Sequence, residues 1–416
     1  MEEISEPTLP VAVLNSPPIL VSDQKAFEDA ISLLSKGKGP FAVDAERASG
    51  FKYSARAYLI QVSRRDGGTH LFDPIALKDL SALAELMANE EWIIHAATQD
   101  LSCLREAGLN PTKIFDTELC ARLIGLPRVG LATVVADLLG LHLAKEHSAA
   151  DWSTRPIPNE WLVYAALDVE LLPDLRDSLA KKLVETNKTE IANQEFAALV
   201  KWQPAPPRED PWRRLSGIPA LTKPRNLAVA RELWLARDAF AKEIDMGPGR
   251  VLPDRSILQA AIQLPKTTKE LTEMKDFQGR FSRKEIHRWA DAIKRGLTTD
   301  DLPPMRIRGN SFSAPRNWRE RHPEAYARYV CVRAGLTDKA ETLQIPVENL
   351  ISPDAVRRLC FEPPAEQTVE TISETLENAG ARSWQILEVA ELVSACFTEV
   401  AANPGKYLEA NAPPVD

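Results

Sequence analysis

The sequence predicts an α/β domain with a mixed sheet, followed by two all-α helical modules. Short β-rich runs alternate with helical periodicities over the first 200 residues, a proline-rich break follows at 201–208, and strand signals almost vanish beyond it. A length of 416 residues leaves room for two to four domains, each large enough to bury a core.

Residues 1–20 contain Pro7, Pro10, Pro17 and Pro18 without periodicity and are expected to form a flexible N-terminal tail. Asp23 can cap a helix through Leu34, because Phe27, Ala30, Ile31 and Leu34 recur at helical spacing before Gly37 and Gly39-Pro40 end it. Strands are expected over 40–46, 57–63 and 69–73, and turn signals at Asp66-Gly67-Gly68 and Asp73-Pro74 arrange them as an antiparallel meander. A helix near 78–87, a buried strand over 91–95 and further helices to about residue 195 complete a first domain at 21–200. Helical stretches at 224–243, 254–263, 267–273 and 281–296, broken by Gly247-Pro248-Gly249, Pro253 and Pro265, define a second domain at 208–300. Pro303-Pro304 marks another break, and residues 316–410 read as a further helical module.

Composition narrows the class. Charged residues make up 26% and hydrophobic residues 44%, the profile of a soluble globular protein. Apolar stretches stay far below the ~18–20 residues that cross a bilayer. The acidic N-terminus lacks the basic and apolar regions of a secretory leader, so a cytoplasmic protein without a membrane partner is expected. The five cysteines form no CxxC pair, which argues against a zinc site or a disulfide framework. Charge is uneven along the chain: residues 1–200 carry −10, residues 201–310 carry +8 and residues 311–416 carry −6. A basic segment beside an acidic domain suits a phosphate binder next to a cation-dependent site, and chance variation of surface charge gives the same numbers.

Three local patterns carry chemistry. In Asp44-Ala45-Glu46 two carboxylates share one face at the end of an apolar strand. Either a divalent cation compensates their repulsion, or the strand end is solvated with Arg47 as counter-charge. Tyr164 and Asp168 stack at i and i+4 on a helix, where an apolar core role for the tyrosine is the plain alternative. Asp100 follows the strand at 91–95, where an open α/β sheet presents ligands, although an acid near a helix start also serves the dipole.

Taken together, Asp44-x-Glu46, Asp100 in His-Ala-x-x-x-Asp-Leu and Tyr164-x-x-x-Asp168 resemble the three motifs of the tyrosine-bearing DEDD-type 3′→5′ exonucleases. Asp151-Trp152-Ser153-Thr154-Arg155-Pro156, Ser54–Gln61 and Phe115-Asp116-Thr117-Glu118-Leu119 narrow the resemblance to the ribonuclease D family. Residues 226–271, with Trp234, Arg237 and Val251-Leu252-Pro253-Asp254, are similar to the helicase-and-RNase-D C-terminal (HRDC) domain, and 316–410 resemble a second, divergent HRDC-like domain. His147 departs from the family pattern, which has Gln or Glu there.

The resemblance implies a ribonuclease H-like nuclease domain that releases nucleoside 5′-monophosphates from single-stranded RNA 3′ ends, with tRNA precursors as expected partners. It implies two divalent cations, Mg²⁺ or alternatively Mn²⁺, whose combined charge eases attack on phosphate at a separation of ~3.5–4 Å. Asp44 would bridge them, Glu46 and Asp168 would complete one site, Asp100 would serve the other, and Tyr164 would orient water. Expected substrate contacts are Arg47, Gln61, His95, Lys145 and Arg155, with Trp152 and Trp161 either stacking on bases or lying in the core. Backbone phosphates are assigned to Arg213, Arg214, Arg225, Arg231, Arg237, Arg283, Lys284 and Arg288 of the basic segment. A DNA-directed exonuclease and a catalytically silent nucleic-acid-binding module are the alternatives.

Overall fold

The computed structural model describes residues 9–144, 147, 149–306 and 314–408. Six strands form one sheet in the order β1-β4-β3-β2-β5-β6. They are β1 (Ile19–Val21), β2 (Lys38–Arg47), β3 (Ala57–Arg65), β4 (Gly68–Phe72), β5 (Glu91–Ile94) and β6 (Lys113–Asp116). Strands β2, β3 and β4 make the expected antiparallel meander, while β1 pairs in parallel with β4, β5 with β2, and β6 with β5. The sheet is therefore mixed.

Helix α1 (Gln24–Lys36) starts where Asp23 Oδ1 accepts a hydrogen bond from the Ala26 amide at 2.9 Å, and it buries Phe27, Ala30 and Leu34. That stripe packs on the face of the sheet bearing Phe41, Val43, Trp92 and Ile94, together with α2 (Ser81–Met87) and α3 (Leu101–Glu106). On the opposite face Ala42, Ile93 and Phe115 meet α4 (Thr117–Leu123), α5 (Leu131–Leu139), α6 (Asn159–Glu170), α7 (Leu172–Glu185) and α8 (Thr189–Lys201). Period two thus sends alternate residues of β2 to two different cores, and Asp44 and Glu46 fall on the Ala42 face.

The described part of the expected tail is docked. The Ala12 amide donates to His142 O at 2.9 Å, the His142 amide donates to Pro10 O at 2.8 Å, and Asn15 bonds Glu170. These are largely backbone bonds, which leave no side-chain signature in a proline-rich stretch.

Beyond residue 208 the chain is helical. Trp212, Leu227, Leu233, Phe240, Ile257 and Trp289 form the core of the next unit, in which Pro224–Glu243 packs on Ile286–Thr298. The expected helix over 281–296 is split at Glu285 into Arg280–Lys284 and Ile286–Thr298. This unit grips the loop after β2: the Gly247 amide donates to Phe51 O and Asp245 accepts from the Ser54 amide, each at 2.9 Å. Glycine is required there, since a Cβ on residue 247 would lie 2.4 Å from Gly50 O.

The third helical segment is no separate bead. Helices Pro323–Leu343, Pro353–Phe361, Val369–Asn378 and Ser383–Ala402 share one continuous apolar core with α4, α5, α7 and α8 of the first domain. Polar ties stitch the same seam. Arg382 forks onto Glu195 of α8 with both contacts at 2.7 Å, Trp384 Nε1 donates to Glu195 Oε1 at 2.7 Å, and Lys188 Nζ joins Leu123 O to Gln344 O. Among the described residues no helix is long and apolar enough to cross a membrane.

Removing a buried member of such a seam strands its partners. Glu195→Ala is expected to lower stability by about 3 kcal/mol or more, read by urea titration. A loss below about 1 kcal/mol would show that the seam is held by apolar burial alone.

Candidate active site

Because β2 carries its acids two residues apart, Asp44 and Glu46 leave the sheet on the same side. Helix α6 crosses that face and adds Asp168, so that one carboxylate oxygen from each of the three lies within 4.8 Å of the others. Tyr164, one turn earlier on α6, adjoins Asp168. Asp100 enters from the end of β5 through the tight turn Ala97–Gln99, and its carboxyl adjoins that of Asp44.

The turn is held by a second acid. Buried Asp116 caps α4 by accepting from the Leu119 amide at 3.0 Å, and it also accepts from Ala96 N at 3.2 Å and Ala97 N at 2.8 Å. Those bonds hold Ala96 in the left-handed region, at φ 59°, which turns the chain back so that Asp100 faces the cluster. The four carboxylates and Tyr164 line a cavity of about 600 Å³ with Arg47 and His95.

The electrostatics are strained. Burial pushes all four acids above their ordinary range. Repulsion from neighbouring carboxylates adds to the rise at Glu46, Asp100 and Asp168, taking Glu46 up to about 10 and Asp100 up to about 8. Hydrogen bonds from the Ala45 amide and with Asp100 hold back part of the rise at Asp44. Arg47 offsets part of this, with Nη2 3.7 Å from Asp100 Oδ1. Burial also raises the Tyr164 phenol, with Asp168 and Glu46 adding to the rise, and lowers the His95 imidazole to about 4. Crowded, desolvated oxygen donors with one nearby cationic side chain fit hard divalent cations, which favour carboxylates and supply the missing charge.

Family models match three stretches of the chain: a 3′-5′ exonuclease over residues 18–184, an HRDC domain over 226–293 and a 3′ to 5′ exonuclease C-terminal domain over 311–397. Ribonuclease D of Shewanella sp. (strain ANA-3) is 32% identical over 295 residues, covering 68% of this chain and 73% of that protein. This chain belongs to the ribonuclease D family. Ribonuclease D of Bartonella henselae is 28% identical over 288 residues, covering 68% of this chain and 70% of that one. A solved protein from Bifidobacterium adolescentis superposes with a TM-score of 0.86 at 35% identity, over 94% of this chain and all of the other. Escherichia coli RNase D shares the fold, with a TM-score of 0.66 at 22% identity over 91% of this chain and 98% of that one. As a ribonuclease D family member the protein is a hydrolase, a 3′→5′ exoribonuclease.

The substrate contacts expected from the ribonuclease D resemblance divide. Arg47 and His95 line the cavity. Gln61, opposite Asp44 on β3, is fully buried and is closed off from a substrate. Arg155 is a structural clamp: its guanidinium holds Asp73 at 2.7 and 2.9 Å and donates to Tyr58 O and Trp152 O. Lys145 lies outside the described residues. Trp152 is buried and packs edge-on against Trp161 with ring centroids 5.4 Å apart, so it belongs to the core. His147 stands edge-on to Tyr164 at 5.8 Å.

The basic segment divides as well. Arg237 is buried on Asp254 and Leu252 O and cannot meet RNA phosphates. Arg225 caps the carbonyls of Gly296 and Thr299, Arg231 holds Asp301, Arg213 bonds Asp210, and Arg288 lies over Phe240 while pairing with Glu285. Arg283 bonds Gln278 yet stays exposed, as do Arg214 and Lys284. Cavity residues that sequence reasoning missed are Ser49, Gln99 and the Gly130–Ala132 rim at the start of α5. Ser49 and Gln99 adjoin the motifs in sequence, whereas Gly130–Ala132 carry no local signal and reach the site only through the fold.

Because the fold raises the Asp100 carboxyl, its cost is absent below about pH 4 and grows as pH rises toward about 8. In EDTA, Asp100→Asn should match the parent in stability near pH 4 and exceed it by on the order of 2 kcal/mol by pH 8. A gap that stays flat across this window in urea titrations would mean that the cluster carries no such strain.

Proposed function

We propose that this protein trims single-stranded RNA 3′ ends in the cytoplasm, releasing nucleoside 5′-monophosphates, and that precursor tRNAs are its natural substrates. The observation that supports this best is the convergence of Asp44, Glu46 and Asp168, joined by Asp100 and Tyr164, in one cavity of about 600 Å³. A non-catalytic binding module would have no use for four desolvated acids, which are costly in a fold unless a cation compensates them.

In the proposed site Asp44, Glu46 and Asp168 would hold one divalent cation, and Asp44 with Asp100 would hold a second. Mg²⁺ is the proposed ion and Mn²⁺ its substitute, since both favour oxygen donors. The bound cations would neutralise phosphate charge and ease deprotonation of the attacking water. The chain's own groups do the rest. Tyr164 keeps its proton at neutral pH because burial and Asp168 raise its phenol, so it orients water through a hydrogen bond and does not act as a base. Arg47 bears positive charge at the cavity wall, where a non-bridging phosphate oxygen can pair with it. Exposed Arg214, Arg283 and Lys284 would hold the RNA backbone further out, without reading its sequence.

End-labelled single-stranded RNA, matched DNA and a tRNA with extra 3′ nucleotides test this reading with Mg²⁺ or EDTA. Stepwise 3′ shortening of RNA is expected, lost in EDTA and reduced at least about 10³-fold in Asp44→Asn. A halt at the mature tRNA end would support the tRNA assignment. Cleavage that survives Asp44→Asn, or tight RNA binding without cleavage in Mg²⁺ and Mn²⁺, would overturn the assignment of the cluster.

A further inference from the structure

His95 follows β5 on the same face as the carboxylates. Ala42 of β2 is registered with Ile93 of β5, and Ile93 with Phe115 of β6. Two residues further along each chain, Asp44, His95 and Thr117 continue that row, so the imidazole stands beside Asp44 on the cavity side. The ring is fixed on its other edge. Nδ1 lies 2.9 Å from Thr117 Oγ1, and the Thr117 hydroxyl points on to Ile94 O at 3.4 Å. With the threonine proton directed at a carbonyl, its oxygen accepts from the imidazole, which places the ring proton on Nδ1 and leaves Nε2 as a bare lone pair.

Nε2 has no protein partner among the described residues, and it is not among the buried polar atoms sealed from solvent. His95 lines the cavity, and the group able to hold a cation is Asp44, Glu46 and Asp168 without it. Burial keeps the imidazole neutral well below neutral pH.

A fixed lone pair selects among the groups of a nucleic-acid strand. Phosphate oxygens, ring oxygens and base carbonyls are acceptors and are repelled by it. Base N–H groups differ in position among the four bases, so an enzyme that degrades any sequence cannot depend on them. The sugar hydroxyls remain as donors: the 2′-hydroxyl, present on every ribonucleotide and adjacent to every phosphodiester, and the single terminal 3′-hydroxyl, which DNA carries too and which would leave the enzyme indifferent to 2′-deoxy substitution.

We propose that His95 Nε2 accepts a hydrogen bond from the 2′-hydroxyl of a ribonucleotide flanking the scissile phosphate, which makes His95 a determinant of RNA over DNA. The inference rests on the carboxylate cavity being the site of phosphodiester hydrolysis. It assigns His95 a definite partner on the substrate, and to Thr117 the part of a positioning residue that sets the tautomer.

The test uses the full-length protein and single-stranded oligonucleotides that are all-ribose, 2′-deoxy only at the last nucleotide, or 2′-deoxy only at the penultimate one. The parent should favour the all-ribose strand over one of the two substituted strands by about threefold to tenfold in kcat/KM, the worth of one neutral hydrogen bond. In His95→Phe, which keeps an aromatic ring and removes both nitrogens, that ratio should collapse to near one. An unchanged ratio in His95→Phe overturns the inference. So does a parent enzyme indifferent to both substitutions, and this result is available even where the variant does not fold. Cleavage that persists in Asp44→Asn would instead remove the reading of the cavity itself, so the two failures are told apart.

Discussion

Like charge brought together out of water is the constraint on which the rest of the molecule depends. Asp44, Glu46, Asp100 and Asp168 repel one another in a partly dry cavity, and each would relax outward if its support allowed it. The architecture is arranged against that relaxation. A central strand, β2, is packed on both faces, α6 is pinned over it by an apolar layer, and the Asp116 carboxylate ties down the turn that carries Asp100. Rigidity of this kind lets donors keep a geometry suited to a cation before one arrives, a preorganisation bought with folding stability.

The parts of the site that were legible in the sequence are those encoded by short-range periodicity. A strand repeat of two puts Asp44 and Glu46 on one face, and a helical repeat of four stacks Tyr164 on Asp168. Asp100 was legible because strand ends in open sheets are where ligands sit. What failed was set by partners distant in sequence. Arg155 looked free for a phosphate because Asp73, its partner, lies 82 residues away. Gln61 reads as one polar residue in an apolar strand, and its burial comes from what packs on the sheet face it shares with Asp44.

The same reasoning explains the architectural differences. Helical texture in the last hundred residues was plain from periodicity, but periodicity does not say which surface a helix covers. The first domain's exposed apolar side on α7 and α8 was the missing half of that information. In the basic segment, several of the arginines that make up the net charge serve the unit's own carbonyls and acids. Net charge counts such internally committed groups and free ones alike.

The seam between the last helices and α8 also imposes an order on synthesis. The chain emerges from its N-terminus, so the nuclease sheet and its flanking helices are complete roughly two hundred residues before Ser383–Ala402 exists to cover them. During that interval the apolar core that the first domain shares with the last helices is incomplete, and Glu195 waits for Arg382 and Trp384. A ribosome that stalls or a protease that clips within the final quarter would therefore leave a product with its catalytic residues present and an adhesive flank. The helices from Pro323 to Ala402 thus cover an apolar flank that the nuclease domain alone would leave exposed to water.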